Sequence, residues 1–112
     1  MIILHNNRCS KSREALALLN DNNCEVEIRD YLKDPLSKKE IKELLAKLKC
    51  KPLDIIRKKE TIFTDKFADK KLSDDKWIDV MVKYPILIER PIVINGKKAI
   101  VGRPPALIKD II

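Results

Sequence analysis

The chain has 112 residues, 45% of them apolar and 37% charged, which is enough for one domain with a single core and too few for two. That balance excludes an intrinsically disordered segment and suits small secondary elements in a soluble globular protein. An excess of 24 Lys and Arg over 17 Asp and Glu leaves a net charge of +7, which would attract nucleic acid, acidic membranes or small oxyanions without choosing among them.

Ile2 to Leu4 is an apolar run that predicts a buried strand, followed by a helix from about Ser10 to Asn20 whose Ala15, Leu16 and Leu19 share one face. Asp21-Asn22-Asn23 ends that helix, and Glu25 to Arg29 alternates as a half-buried strand closed by a turn at Lys33-Asp34-Pro35. Ser37 with Glu40 is a capping box, and Ile41, Leu44, Leu45 and Leu48 have the spacing of a second helix. From Pro52 to Leu72 the pattern weakens to short helical pieces at Leu53 to Arg57 and Ile62 to Ala68. Ser73-Asp74-Asp75 then caps a helix with Trp77, Val80, Met81 and Tyr84 on one face, which Pro85 stops. Ile92-Val93-Ile94 and Ala99-Ile100-Val101 flank Asn95-Gly96, a hairpin signal because Asn-Gly supplies the two positive φ angles of a type I′ turn. Pro104 and Pro105 can start a last helix through Leu107, Ile108 and Ile111. A crossover between the first two strands makes them parallel and the hairpin adds an antiparallel pair. The expected fold is α/β, a mixed four-stranded sheet with a helical insertion, in one domain spanning residues 1–112.

Chemistry concentrates in Leu4-His5-Asn6-Asn7-Arg8-Cys9-Ser10-Lys11-Ser12-Arg13. A thiol at a helix start sits among unpaired backbone N–H groups and the positive end of the macrodipole, which favour thiolate over thiol. Arg8, Lys11, Arg13 and His5 add positive charge around it, and the same donors attract an oxyanion. The alternative for Cys9 is a buried apolar cysteine, which the surrounding cations disfavour. His5 is placed either to donate toward the thiolate or the groups that support it, or to be satisfied by backbone carbonyls. Asn6 and Ser12 can cap the helix or orient the loop, and Ser12 can also hydrogen-bond the sulfur. Arg13 faces either the anion or the first helix turn.

Cys9, Cys24 and Cys50 are an odd number of cysteines at wide spacing, so neither a disulfide framework nor a zinc site is expected, and His5 with Cys9 supplies too few metal ligands. Cys24 and Cys50 lie where small, partly buried residues fit. No bound cofactor is expected. Aromatics interleaved with basic residues for base stacking are missing, and Lys38, Lys39, Lys42, Lys47, Lys49 and Lys51 fall on predicted outer faces, so nucleic acid is not an expected partner. No run approaches the roughly eighteen apolar residues of a membrane span, and the chain enters a strand without a signal-like segment. A cytoplasmic monomer without a membrane partner is the expectation.

The pattern H-N-x-x-C-x-x-S-R from His5 to Arg13 resembles that of the arsenate reductase family that works with glutathione and glutaredoxin, and the short arsenate-reductase-like proteins within it. Pro85-Ile86-Leu87-Ile88-Glu89-Arg90-Pro91-Ile92-Val93 is similar to the family's second signature and Gly102-Arg103-Pro104-Pro105 to its third. Ile55-Ile56-Arg57-Lys58-Lys59 falls where the family places another arginine. Asn7 stands where the family usually carries proline.

The resemblance implies a thioredoxin/glutaredoxin-like fold in which a cis-Pro91 faces the cysteine turn and aims Arg90 at Cys9. It implies that Arg57, Arg90 and Arg103 hold the oxyanion, a task that suits arginine because its fork pairs bidentately and stays charged. Each alone could instead be a surface ion pair. It further implies that Cys9 forms a thiol–arsenate adduct, that glutathione attacks it as co-substrate, and that glutaredoxin clears the mixed disulfide. Two rivals remain: a transcriptional regulator like Spx that contacts RNA polymerase, against which the absence of Cys-x-x-Cys counts, and a thiol oxidoreductase acting on another substrate. A cysteine phosphatase would space its cysteine and arginine more widely than Cys9 and Arg13.

Overall fold

The computed structural model describes residues 1–112, and the chain divides into two compact units, Met1–Asp34 with Arg90–Ile112, and Pro35–Glu89. The first unit holds the sheet. Its β1 (Ile2–His5) leads through a polar turn into α1 (Ser10–Asp21) and β2 (Glu27–Asp30), and the same unit contains β3 (Ile92–Asn95) and β4 (Lys98–Val101). The strands lie in the order β2-β1-β3-β4. β1 and β2, joined by a helical crossover, are parallel, whereas β1–β3 and β3–β4 are antiparallel. The mixed four-stranded sheet read from the sequence is therefore present. The apolar β1 and β3 occupy its centre, and β2, with exposed Glu27 and Ile28, forms one edge.

Strand register sets Ile3 opposite both Val93 and Ile28. Ile3 and Val93 are fully buried with Ala15 and Leu19 of α1 and with Ile108. Burying a leucine such as Leu19 is worth roughly 1.5–3 kcal/mol, so the apolar face of α1 anchors the helix whose first turn carries the cysteine. Cys24 packs at the margin of this core.

Three details of this unit differ from expectation, the first being β2, which starts at Glu27 and not Glu25 and leaves Ile28 exposed because it lies at the sheet edge. Register pairs Asn95 with Lys98, so the hairpin loop is Gly96-Lys97, and of these only Gly96 has positive φ, +60°. That is the sign pattern of a type II′ turn, with Asn95 drawn into the strand, where its side-chain amide donates to the carbonyl of Ile111. The last helix, Pro105–Ile111, is a 3-10 helix. Pro104 and Pro105 lack N–H groups, and the segment is held by buried Ile108 and by the Asn95 bond.

The second unit is helical. Ser37 and Glu40 close the capping box of α2 (Lys38–Leu48) at 3.2 and 3.0 Å, and Ile41, Leu44 and Leu45 are its buried face. A 3-10 turn at Pro52–Ile55 and α3 (Thr61–Lys66) follow, close to the weak helical pieces expected there. In α4 (Asp74–Lys83) the Ser73 hydroxyl accepts the Lys76 N–H, and Trp77, Ile78, Val80 and Met81 are buried. Phe63, Phe67, Trp77 and Tyr84 form an aromatic cluster with ring centroids 5.8 to 6.3 Å apart. No helix is long and apolar enough to cross a membrane.

Candidate active site

Cys9 is the N-cap of α1, with extended backbone (φ −94°, ψ 121°). The turn that delivers it is tied locally. The Cys9 N–H donates to the Asn6 carbonyl at 3.0 Å, the Arg8 N–H to Asn6 Oδ1 at 3.0 Å, and the Arg13 N–H to the Cys9 carbonyl at 3.1 Å. Asn6, itself buried, thus orients the loop and is not the helix cap. Unlike α2 and α4, which place Glu40 or Asp74 and Asp75 in their first turns, α1 has no acid there. The positive end of its dipole is left to the sulfur.

His5 and Ser12 brace the turn from below, both buried. Ser12 Oγ lies 2.8 Å from His5 Nδ1 and accepts the Asn6 N–H at 3.0 Å. The histidine Nδ1 is therefore engaged with a hydroxyl that supports the turn, the kind of group its sequence reading named beside the thiolate itself. Ser12 favours the thiolate through its backbone N–H, and its hydroxyl is engaged with His5 and Asn6. Arg13 Nη1 donates to the Asn7 carbonyl at 3.2 Å, so it covers the loop in which Asn7 replaces the expected proline.

Residues far along the chain complete the surroundings of the sulfur. The Arg90–Pro91 peptide is cis, as is Arg103–Pro104. Arg103 Nη2 lies 3.7 Å from Cys9 Sγ while its Nε donates to the Arg90 carbonyl at 2.6 Å, so one guanidinium touches the sulfur and braces the neighbouring arginine. Gly102 makes this approach possible. Its N–H donates to the Pro91 carbonyl at 2.8 Å, and a Cβ there would meet Ile108 Cδ1 at 3.0 Å and Pro91 Cγ at 3.1 Å.

Burial opposes ionisation of Cys9, but the Ser12 N–H, the Arg90 guanidinium and the Lys11 N–H together hold its thiol below the ordinary value. Burial likewise opposes the Arg90 charge. Contacts with Cys9 and with the Tyr31 hydroxyl outweigh it and raise the arginine further above its ordinary range. Tyr31 is fully buried, and no sequence signal pointed to it, since it follows β2 as one aromatic residue beside a turn.

Arg57 belongs to the second unit. There its Nε is 3.1 Å and its Nη1 3.0 Å from carboxylate oxygens of Glu60 and Glu89. The Arg57 N–H also donates to the Leu87 carbonyl at 2.7 Å, and the Glu89 N–H to the Ile55 carbonyl at 2.7 Å, around an isolated bridge between Ile56 and Ile88. The family resemblance grouped Arg57 with Arg90 and Arg103; in the second unit its side chain pairs with these two acids. Cys24 Sγ lies 3.8 Å from the Asn22 carbonyl, and burial, then Asp54, raises the Cys50 thiol. The Cys50 shift is thus opposite to that of Cys9, and all three cysteines are free. No group of three or more His, Cys, Asp or Glu side chains is arranged to hold a metal ion.

A sheet in the order β2-β1-β3-β4, a cysteine capping the first helix and a cis-proline leading into β3 define a thioredoxin-like thiol protein. A model of the ArsC family matches residues 4–111. The chain is 38% identical over 114 residues to the arsenate reductase of Haemophilus influenzae, covering 100% of this chain and 98% of that protein. It is 41% identical to the uncharacterized protein YfgD of Escherichia coli K12, over 98% of this chain and 94% of that one. The solved arsenate reductase of Vibrio cholerae superposes with a TM-score of 0.95 at 38% identity, covering 99% of this chain and 96% of that one. The chain belongs to the ArsC family.

Proposed function

We propose that this protein is an arsenate reductase in which Cys9 is the sole nucleophile, glutathione the electron donor and glutaredoxin the recycling partner. The observation that carries this is the sulfur of Cys9, held below its ordinary pKa at a helix start with Arg103 at 3.7 Å and Arg90 against it. The Cys9 thiolate attacks arsenic of the bound arsenate, an S–As bond forms, and an oxygen leaves as water after protonation. Arg90 and Arg103 offset the negative charge of the anion as it meets the thiolate. Glutathione thiolate then attacks Cys9 Sγ. An S–S bond forms, the S–As electron pair stays on arsenic, and arsenic(V) leaves as arsenite while the two thiols are oxidised to a mixed disulfide. A glutaredoxin thiolate attacks the glutathione sulfur of that disulfide and restores Cys9. Full-length similarity to arsenate reductases supports the choice of anion.

Arg57 keeps a smaller share in this proposal than the sequence assigned it, because its charge already faces two carboxylates. We place the reaction in the cytoplasm, where thiols are kept reduced, with the protein acting as a monomer. The test is an NADPH-coupled assay containing glutathione reductase, glutathione, glutaredoxin and arsenate. Consumption should require all of them, vanish in Cys9→Ser and persist in Cys24→Ser and Cys50→Ser. Loss of activity in a folded Cys50→Ser protein would replace the external thiol with an internal relay, and consumption independent of arsenate would reassign the substrate.

A further inference from the structure

The second unit carries a groove that the proposed chemistry does not use. Of about 540 Å³, it lies along the end of α3 and one side of α4, a volume in the range of sites that seat a large side chain or a small ligand. Phe67, Leu72, Val80 and Tyr84 make its apolar floor, with Phe67 and Tyr84 meeting edge to face at 5.8 Å. Lys66, Lys70, Lys76 and Lys83 make its rim, together with one carboxylate, Asp79. That carboxylate is already engaged by Lys38 Nζ at 2.9 Å.

None of the four rim lysines forms an ion pair, whereas the nearby Lys38 and Lys42 both pair with Asp75. The rim therefore presents four unpaired positive charges beside a single carboxylate that is already engaged. The ammonium groups of Lys66 and Lys83 instead stand 5.5 Å from the Tyr84 ring centroid, and that of Lys70 stands 5.7 Å from the Phe67 centroid. Lys66 Nζ is also 3.5 Å from the Tyr84 hydroxyl. This bond, with the field of Lys83 behind it, lowers the phenol below its ordinary pKa although partial desolvation works the other way. The rim already stabilises negative charge at the one acidic group the floor offers.

We propose that this groove docks an acidic peptide segment of a partner protein, one apolar side chain of which seats on Phe67, Leu72, Val80 and Tyr84 while flanking carboxylates pair with Lys66, Lys70, Lys76 and Lys83. The unpaired cations select an acidic partner, and the apolar floor demands an anchor that a bare polyanion lacks. Nucleic acid fits less well, because its sites stack successive bases on a row of ring faces, and this groove offers two rings set edge to face.

Trp77, the single tryptophan, is 2% exposed and lies 5.9 Å from Phe63 and 6.1 Å from Phe67, centroid to centroid, so it reports on the floor. The experiment titrates the full chain with a fluorescein-labelled peptide of aspartate and glutamate around one central leucine. Anisotropy is the readout with the labelled peptide and Trp77 fluorescence with the unlabelled one. Binding should saturate, weaken with salt, and fall about tenfold or more when the leucine becomes serine or when the protein carries Lys66→Glu, Lys70→Glu and Lys83→Glu. A Lys47→Glu, Lys49→Glu control on and beside α2 should bind as the natural chain does. Circular dichroism and the Cys9 alkylation rate should be unchanged in the triple variant, and Lys66→Ala with Lys83→Ala provides a milder version. Absence of binding, equal binding of the leucine-free peptide, tighter binding of oligo-dT, or undiminished affinity in the lysine variants would each overturn the proposal.

Discussion

Replacing Arg103 by alanine should slow alkylation of Cys9 about sixfold on the rising limb of its pH profile. Arg103 Nη2 is 3.7 Å from Sγ, and two unit charges at that distance attract by about 1.1 kcal/mol with the screening of bulk water and about 4.5 kcal/mol at an effective dielectric constant of 20. Arg103 is exposed, although Cys9 is only 8% exposed, so the weaker value governs. At about 1.1 kcal/mol the thiolate population falls roughly sixfold wherever the thiol predominates. The assay follows iodoacetamide modification against pH by mass spectrometry in a Cys24→Ser, Cys50→Ser background. The natural profile should rise at lower pH than an ordinary thiol, because Cys9 is held below its usual value. The Arg103→Ala profile should move to higher pH with a similar plateau. Arg103→Lys should fall between them, since an ammonium keeps the charge but not the fork that reaches both Sγ and the Arg90 carbonyl. Sulfate should protect the natural protein more than Arg103→Ala. Superimposable profiles for the natural chain and Arg103→Ala would refute a contribution of Arg103 to the low pKa of this thiol and leave it to Ser12, Arg90 and Lys11.

Because the folded state lowers the Cys9 pKa, its ionisation adds stability that is lost as pH falls through the native value and is complete above the unfolded thiol value. The melting-temperature gap between the natural protein and Cys9→Ser should therefore widen from about pH 6 to about pH 9, and a gap that narrows would reverse the assigned sign. Tyr31→Phe keeps the buried ring but removes the hydroxyl that meets Arg90. It should cost about 1–3 kcal/mol in urea unfolding and shift Cys9 alkylation to higher pH, whereas an unshifted alkylation profile would confine Tyr31 to packing. Gly102→Ala forces its methyl against Pro91 and Ile108 and should destabilise the fold by about 1–3 kcal/mol, with slower Cys9 alkylation as Arg103 is displaced; an unchanged urea midpoint would show that Ile108 yields freely.

What the sequence determined by itself is what neighbours in the chain decide. The Ser37–Glu40 box, the Ser73 cap, the buried faces of α2 and α4 and the cysteine at the start of α1 all rest on interactions within one or two helical turns, which residue identity and spacing prescribe. The parallel β1–β2 pair was legible for a related reason, since a helix between two strands leaves little choice of direction. The turn after β3 was legible as a hairpin, but cross-strand pairing of Asn95 with Lys98 selected its type. The surroundings of the sulfur lay beyond local rules. Arg103 reaches Cys9 from 94 positions away, Tyr31 meets Arg90 only once the chain has returned after the second unit, and His5 finds Ser12 because β1 and α1 are packed. Arg57 shows the same limit from the other side, for only the family resemblance gave it an oxyanion, and its carboxylate partner comes from a glutamate 32 positions away. Charge and hydrogen-bond partners act over a few ångströms in space, and those distances between residues remote in the chain are set only when the apolar faces have been buried.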